Sequence, residues 1–409
     1  MHDVAIVGAG MVGGTLAALL ARCGFSVCLV EREEPVAFDA QQDVGLRVSA
    51  ISPGSASILS AAGAWESIES ERHGIYRQMH VEDATSGGTI TFDSPAFGLE
   101  RLGTIVENAL VQQALWQQLS TLAGVEVECP SSVTAVTSVA GGVALELDRG
   151  GTVQARLLVA ADGAQSGLRR MLGIEQDCWS YNQSGVVCVV RKQEANPGIA
   201  WQRFFGDAPL AFLPLADGRS SIVWTCNQVR ARELLAETAG GFAEALDEAS
   251  RGWLGSVVEV GPRAAFPLQM RHSHSDVAGR AVLLGDAAHV VHPLAGQGVN
   301  LGLADAAALL EMLLSGPSEQ RDPGERPILE RYARWRRSEG RIMSGGIHAL
   351  RALFAHDSLA GVRGLGMRWV GRSWFARDRF VRRAIGQGSG APALARGQSL
   401  VELQRKSAA

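Results

Sequence analysis

Apolar and polar positions divide the chain into short buried strands near its start, a long alternating middle, and helical segments towards its end. Val4 to Val7 is a continuous apolar run, too short for a helix and closed by glycine, so it predicts a buried strand. Thr15 to Cys23 then has helical spacing, and Ser26 to Val30 predicts a second strand. Beyond Pro35 and a polar loop, Gly45 to Ser52 leads into a helix with Ser55 or Ser57 near its start. Gln78 to Phe92 alternates around Gly87-Gly88 and predicts a hairpin, and Val106-Glu107-Asn108 opens a helix carrying Leu110, Ala114, Leu115 and Leu119. Val125 to Glu128, Val133 to Val139 and Val143 to Leu147 predict a β-meander with Gly141-Gly142 and Gly150-Gly151 as turns.

Leu157 to Ala161 is another buried strand, ending at the turn Asp162-Gly163 before a helix capped by Ser166. From Val186 to Trp224 short β-like runs dominate, among them Trp201 to Phe205 and Leu210 to Leu215. Their alternation fits a sheet with one face turned towards something apolar; for any single residue a sandwich-like core explains the pattern as well. Ala281 to Leu284 predicts a further strand, followed by a breaker-rich loop from His292 to Gly298 and a helix from about Asn300 to Leu314.

Composition bounds what such a chain does. Its 409 residues suffice for two or more domains, and a formal net charge of −4 argues against a nucleic-acid binder. The charge is uneven: thirteen arginines stand between Arg331 and Arg383 against Glu339, Asp357 and Asp378. Mixed with Trp, Phe and Val, they make basic amphipathic helices that suit an anionic membrane or an acidic partner, or simply present solvated arginines from helices packed on the body. Six scattered cysteines without metal-like spacing fit reduced thiols in the cytoplasm, and no metal site is expected. The residues before Val4 lack the basic start of a secretory signal, and no run of about eighteen apolar residues suggests a membrane span.

Candidate chemistry gathers at three places. Gly8, Gly10 and Gly13 form a GxGxxG between strand and helix, with Glu31 and Arg32 after the second strand. In that context Gly8 makes the turn, Gly10 admits a pyrophosphate, Gly13 lets helix and strand touch, and Glu31 binds adenosine ribose hydroxyls. This establishes a dinucleotide site without choosing between NAD and FAD, and the acid disfavours a phosphorylated ribose. Arg47 can reach a phosphate or flavin, or form a surface salt bridge. The second place is Asp162 with Arg169 and Arg170, fit for a nucleotide phosphate or for simple capping. The third is Gly285 to Asp305, where Asp286 can accept hydrogen bonds from a polyol. Its loop ends at a helix N-terminus suited to negative charge, such as that on the pyrimidine edge of a reduced flavin. His289 and His292 can relay a phenol proton or shape that loop.

The motifs GAGMVGG, AADG at Asp162 and GDAAHVVHPLAGQGVNLGL occur in one order, and that set resembles the group A flavoprotein aromatic hydroxylases. The late motif, the ARLLVAADGAQSGLRR and WQRFF segments and the tail are more narrowly similar to the ubiquinone-biosynthesis flavin hydroxylases. The resemblance implies an α/β fold of the para-hydroxybenzoate-hydroxylase type. Its parts are a discontinuous Rossmann-type FAD-binding domain (1–75, 100–178 and 276–340), a mixed β-sheet substrate domain (76–99 and 179–275) and a basic helical region (341–409). It places Gly8, Gly10, Gly13, Glu31, Arg32, Arg47, Asn108, Asp162 and Asp286 at positions serving FAD. Gly296, Gly298, Val299 and Asn300 fall near the flavin ring, with His292 and Pro293 as flavin-loop candidates. One position departs from the family pattern: Ala304 stands where arginine is usual, which touches a local helix contact.

The activity implied is hydroxylation of the ring of a polyprenylated phenol: NAD(P)H or another transient donor reduces FAD, O2 adds at flavin C4a, and one oxygen atom passes to the ring. Such a substrate needs a long apolar groove between the β-sheet domain and the flavin, with Phe204, Phe212 and Leu215 as its expected walls. The implied setting is cytoplasmic or peripheral on the inner face of the membrane, with other ubiquinone-biosynthesis proteins or the membrane surface as partners. Two other classes remain open, a flavin-dependent dehydrogenase or reductase and a non-catalytic FAD-binding subunit of a biosynthetic assembly.

Overall fold

The computed structural model describes residues 1–206, 208–291, 298–315, 322–355 and 360–408. Its first sheet has, in order, strands Val277–Ala278, Ala281–Leu283, Thr152–Ala160, His2–Val7, Val27–Val30 and Val125–Glu128. The last five of these run parallel. Parallel strands need crossover helices over their faces, which is why Val4, Ala5 and Ile6 are all wholly buried. Helices Met11–Arg22, Asn108–Thr121 and Gly298–Leu314 cover one face through Leu16, Leu19, Leu115, Leu309 and Leu310. The hairpin Val133–Val139 and Gly142–Leu147 pairs with the outer half of Thr152–Ala160 and covers the other face with Val143 and Leu145. The expected meander is corrected here: Val125–Glu128 leaves its neighbours and joins Val27–Val30 in parallel. Strand order is set by packing between distant segments, and alternation alone does not report it.

The second sheet runs His289–Val290, Val257–Ser273, Gln176–Lys192, Ser220–Asn227, Ala208–Pro214, Ile199–Phe205, Gln78–Asp83 and Thr89–Asp93. One face packs on helices Gln228–Ala236 and Ala239–Ser250 through Phe212, Trp224, Leu234 and Phe242. A small sheet of Val48–Ile51, Gly103–Glu107 and Gly74–Tyr76 lies beside the second sheet. The chain crosses from the first sheet to the second at a short turn, Gly285–Ala287, because Ala281–Leu283 belongs to one and His289–Val290 to the other.

Strand Gln176–Lys192 and helix Arg326–Ala355 run on unbroken through residues 178 and 340, where the sequence suggests boundaries. Helices Ala360–Arg372 and Trp374–Ala384 lie on the hairpin Gln78–Asp93 through Met367, Val370, Val381 and Ile385. At their root Arg363 and Asp83 form an ion pair at 2.8 Å with both side chains fully buried. Among the described residues no helix is long and apolar enough to cross a membrane.

Candidate functional site

The glycines of the first turn do three different jobs. Gly8 has φ +104°, and a Cβ there would stand 2.3 Å from the Ala161 carbonyl oxygen, so only glycine fits. A Cβ on Gly13 would lie 1.9 Å from the Gly8 oxygen, so helix and strand touch backbone to backbone. Around Gly10 the corresponding space is open for 4 Å. Gly10 caps helix Met11–Arg22 without a side-chain hydrogen bond, which leaves orphan N–H donors facing that space. An open glycine before uncapped donors is the cradle a pyrophosphate requires.

Around this nest the remaining candidates take different places. Glu31 follows strand Val27–Val30 and accepts the Ala9 N–H at 2.5 Å and the Arg32 N–H at 2.7 Å, which holds its carboxylate beside the glycine turn. Arg32 is exposed and pairs with Glu33 at 3.2 Å. The Arg47 guanidinium sits 5.2 Å from the Phe266 ring centre. Asn108 starts the helix Asn108–Thr121, accepts the Ser49 hydroxyl at 2.7 Å and donates its backbone N–H to the Arg47 oxygen at 3.0 Å, tying the Arg47 loop down. Asp162 accepts the Ser166 hydroxyl and, at 3.1 Å, the Leu168 N–H, so its carboxylate caps the short helix Gly167–Met171. Arg169 is buried and donates to the Ala287 oxygen at 3.1 Å, bracing the late turn.

That late turn meets the early one. Val12, inside the first motif, packs against Gly285 and Gly302, where added Cβ atoms would come within 3.3 Å and 2.6 Å of its side chain. Asp286 is exposed at this junction, and desolvation by the atoms packed around its carboxyl raises its pKa. Gly298 and Val299 open helix Gly298–Leu314, and the Cβ direction of Gly298 is unobstructed. Asn300 is buried: it accepts the Ser52 N–H at 2.9 Å and donates to the Ala50 oxygen at 2.8 Å, which fastens strand Val48–Ile51 to the helix. His292, Pro293 and Gly296 lie outside the described residues.

A charged cluster behind the turn was not anticipated. Asp305, buried in the apolar helix, accepts the Gly285 N–H at 3.2 Å, His289 Nε2 at 2.8 Å and Arg336 Nε at 2.5 Å. Burial opposes charge on both His289 and Asp305; for the imidazole the Asp305 carboxylate outweighs burial and the repulsion of Arg336 and raises its pKa, and for the carboxyl His289 and Arg336 together outweigh burial and lower its pKa. His289 is thus fixed as a support of the turn. The signal was in the sequence: a lone acid in the run from Leu301 to Leu314, which is otherwise apolar as far as Glu311, needs a buried partner. Ala304, the departure from the family pattern, lines a small cavity beside Arg336 and Glu339.

Next to Gly298 and Val299 lies a cavity of about 280 Å³, walled by Val48, Ser49, Tyr76, Met79, Ala211, Leu213 and Val223 among others. Among the described residues its polar lining comes from Ser49, Tyr76, Gln202 and Thr225, and none that lines it is charged. Burial pushes the Tyr76 phenol up to about 12, so it stays neutral. The expected walls are corrected. Phe212 faces the opposite side, against Trp201 and Trp253; Phe204 packs on Phe354; Leu215 borders another cleft. A strand's alternation defines two faces, and here the cavity took the smaller residues, Ala211 and Leu213, while the aromatic rings went to the helices. The other cleft, about 530 Å³, is lined by ions already paired with one another, including Arg72 with Glu107 and Arg219 with Asp217, each at 2.7 Å.

Comparison with known proteins gives the family and the fold. Residues 1–342 match the family described as FAD binding domain. The 3-demethoxyubiquinol 3-hydroxylase of Escherichia coli is 37% identical over 367 residues, covering 89% of this chain and 93% of that protein. The ubiquinone hydroxylase UbiL of Rhodospirillum rubrum is 36% identical over 403 residues, covering 97% of this chain and 93% of its own. Among solved structures, p-nitrophenol 4-monooxygenase from Pseudomonas putida superposes with a TM-score of 0.75 at 18% identity, over 95% of this chain and 99% of that one, which shows the shared fold.

Proposed function

The chain belongs to the FAD binding domain family and, within it, to the ubiquinone-biosynthesis hydroxylases, and from that premise we propose how its site works. It is an FAD-dependent monooxygenase that hydroxylates the ring of a prenylated phenol on the route to ubiquinone. FAD supplies the redox chemistry that activates O2, and the protein positions, encloses and balances charge. Gly8, Gly10 and Gly13 with the uncapped helix start hold the pyrophosphate, and Glu31 takes the adenosine ribose. Asp286 takes the flavin's polyol chain, while Gly298 and Val299 border the ring. Asn108 and Asn300 act behind them by fixing the segments from Arg47 to Ser52.

The observation that carries this reading is the cavity beside Gly298 and Val299. It has room for one substituted ring, is mostly apolar, and among the described residues offers only neutral hydroxyl and amide groups. A neutral quinol fits it, whereas a ring bearing a carboxylate would bury an unpaired charge. The enclosed volume does not hold a long prenyl chain as well, so the head group enters and the tail stays outside. A nicotinamide dinucleotide is the reductant and visits transiently, since the only glycine fingerprint is committed to FAD. The enzyme works at the inner face of the membrane, where such a substrate resides, or with neighbouring proteins of the route.

The test is turnover of a short-prenyl demethoxyubiquinol probe by the purified FAD-loaded protein under labelled oxygen. One labelled atom in the ring is expected. Turnover without label would make the protein a dehydrogenase or reductase, and a chain that cannot be reconstituted with FAD would end the enzymatic reading.

A further inference from the structure

Helices Ala360–Arg372 and Trp374–Ala384 leave large apolar side chains in water. Leu365, Trp369 and Trp374 are 63%, 65% and 67% exposed, and Phe380 is 49% exposed. Leu365 and Trp369 are four residues apart and so share a face of their helix. Between residues 360 and 384 the sequence has seven arginines and a single acid, Asp378. Arg379 is exposed and has no carboxylate partner among the described residues, whereas Arg382 is paired with Asp378 at 2.8 Å.

This face is joined to the ring cavity by an unbroken apolar bridge. Phe380 stacks on Phe92 at 5.4 Å. Phe92, Met367 and Val370 pack in one cluster with Val81, Met79 and Tyr76. Met79 and Tyr76 are walls of the cavity itself. Apolar side chains thus run without a polar break from the cavity wall, along the hairpin Gln78–Asp93, to the helix that carries Leu365 and Trp369.

We propose that Leu365, Trp369, Trp374 and Phe380, with Arg379 and the net positive charge of the segment, dock the enzyme on an anionic lipid bilayer, and that the Tyr76–Met79–Phe92–Met367 seam is where a substrate's tail passes between bilayer and cavity. The proposal rests on the prenylated-ring reading for its second half only. Tryptophan favours the depth of the headgroups, and arginine can lay its apolar stem there while keeping its charge among phosphates. Arginine excess gives the attraction to anionic lipid, and salt weakens it. The buried Arg363–Asp83 pair fastens helix Ala360–Arg372 to the hairpin at one end, so the docked face stays beside the cavity.

The experiment is flotation of the full-length FAD-loaded protein with phosphatidylcholine vesicles and with vesicles also containing phosphatidylglycerol. It is paired with turnover of a water-soluble short-prenyl probe and of a long-prenyl probe carried in the vesicles. Binding at least about tenfold stronger to the anionic vesicles, reduced by salt, is expected. The double variant Trp369→Ser with Trp374→Ser should lose flotation and long-prenyl turnover while keeping short-prenyl turnover and its FAD spectrum. Kept short-prenyl turnover also shows that the variant has folded. Wild-type protein that floats with neither vesicle, or with both equally, overturns the proposal. So does a double variant whose only change is in self-association, which would assign the face to a second copy of the chain. Failure of the short-prenyl reaction in the wild type would count against the hydroxylase reading and leave the flotation result standing by itself.

Discussion

Alanine at Gly13 and alanine at Gly10 should fail in opposite ways. At Gly13 the new methyl would lie 1.9 Å from the Gly8 oxygen, where an ordinary contact begins near 3.4 Å, so two backbones must separate by about 1.5 Å. Overpacking of this kind costs about 1–3 kcal/mol, and rigid backbone on both sides favours the upper end. Replacing a helical glycine returns about 1 kcal/mol, leaving a net loss of about 2 kcal/mol. At Gly10 the methyl meets nothing, and φ of −65° suits alanine, so the apoprotein should lose less than about 1 kcal/mol. That methyl instead occupies the pyrophosphate's place, and FAD affinity should fall at least about tenfold. Urea unfolding of the FAD-stripped proteins reads the first effect, and titration with FAD by quenching of flavin fluorescence reads the second. An apoprotein of G13A as stable as wild type, or a G10A protein that binds FAD with unchanged affinity, would refute the division of labour.

Three other outcomes follow from the described contacts. Asp305→Asn should cost about 3–5 kcal/mol by leaving Arg336 buried without its counterion. Because the His289 pKa is raised, its share of stability is full below the ordinary imidazole value and fades as pH climbs through the raised one. Asp305, whose pKa is lowered, contributes above the ordinary carboxylate range and loses its share on acidification. The gap between wild type and variant should thus narrow towards both ends of a series of urea midpoints; a gap independent of pH would disprove the coupling. Ala211→Phe should fill the ring cavity and cut turnover at least about tenfold with an unaltered flavin spectrum, and unchanged turnover would move the substrate elsewhere. Asp83→Asn should cost about 3–5 kcal/mol and raise hydrogen exchange in the hairpin Gln78–Asp93, while exchange confined to other elements would argue against the clamp.

Local patterns carried much of the fold. Four consecutive apolar residues at Val4 to Val7, glycine spacing at Gly8, Gly10 and Gly13, and the Ser166 cap each specify their surroundings within a few residues, and each forms as expected. What escaped was non-local. Val125–Glu128 alternates as a meander strand would, yet its partner is Val27–Val30, nearly a hundred residues earlier. Phe212 reads as a cavity wall by its bulk, yet the helices Gln228–Ala236 and Ala239–Ser250 compete for the same ring and win. The motif around Asn300 gives no hint of its bonds to Ser52 and Ala50, which need both segments in view. Asp305 stood in plain sight, but its partners His289 and Arg336 lie on separate elements.

The pairing of Asp83 with a cation 280 positions downstream makes the order of synthesis matter. A ribosome has produced nearly nine-tenths of the polypeptide before the hairpin's inner carboxylate meets its counter-charge. A nonsense codon anywhere upstream of Arg363 therefore damages the middle of the molecule and does more than remove its end, because the hairpin edge keeps a buried anion without its guanidinium. Shortened products should be cleared by proteolysis as misfolded protein and should not persist as enzymes lacking a tail.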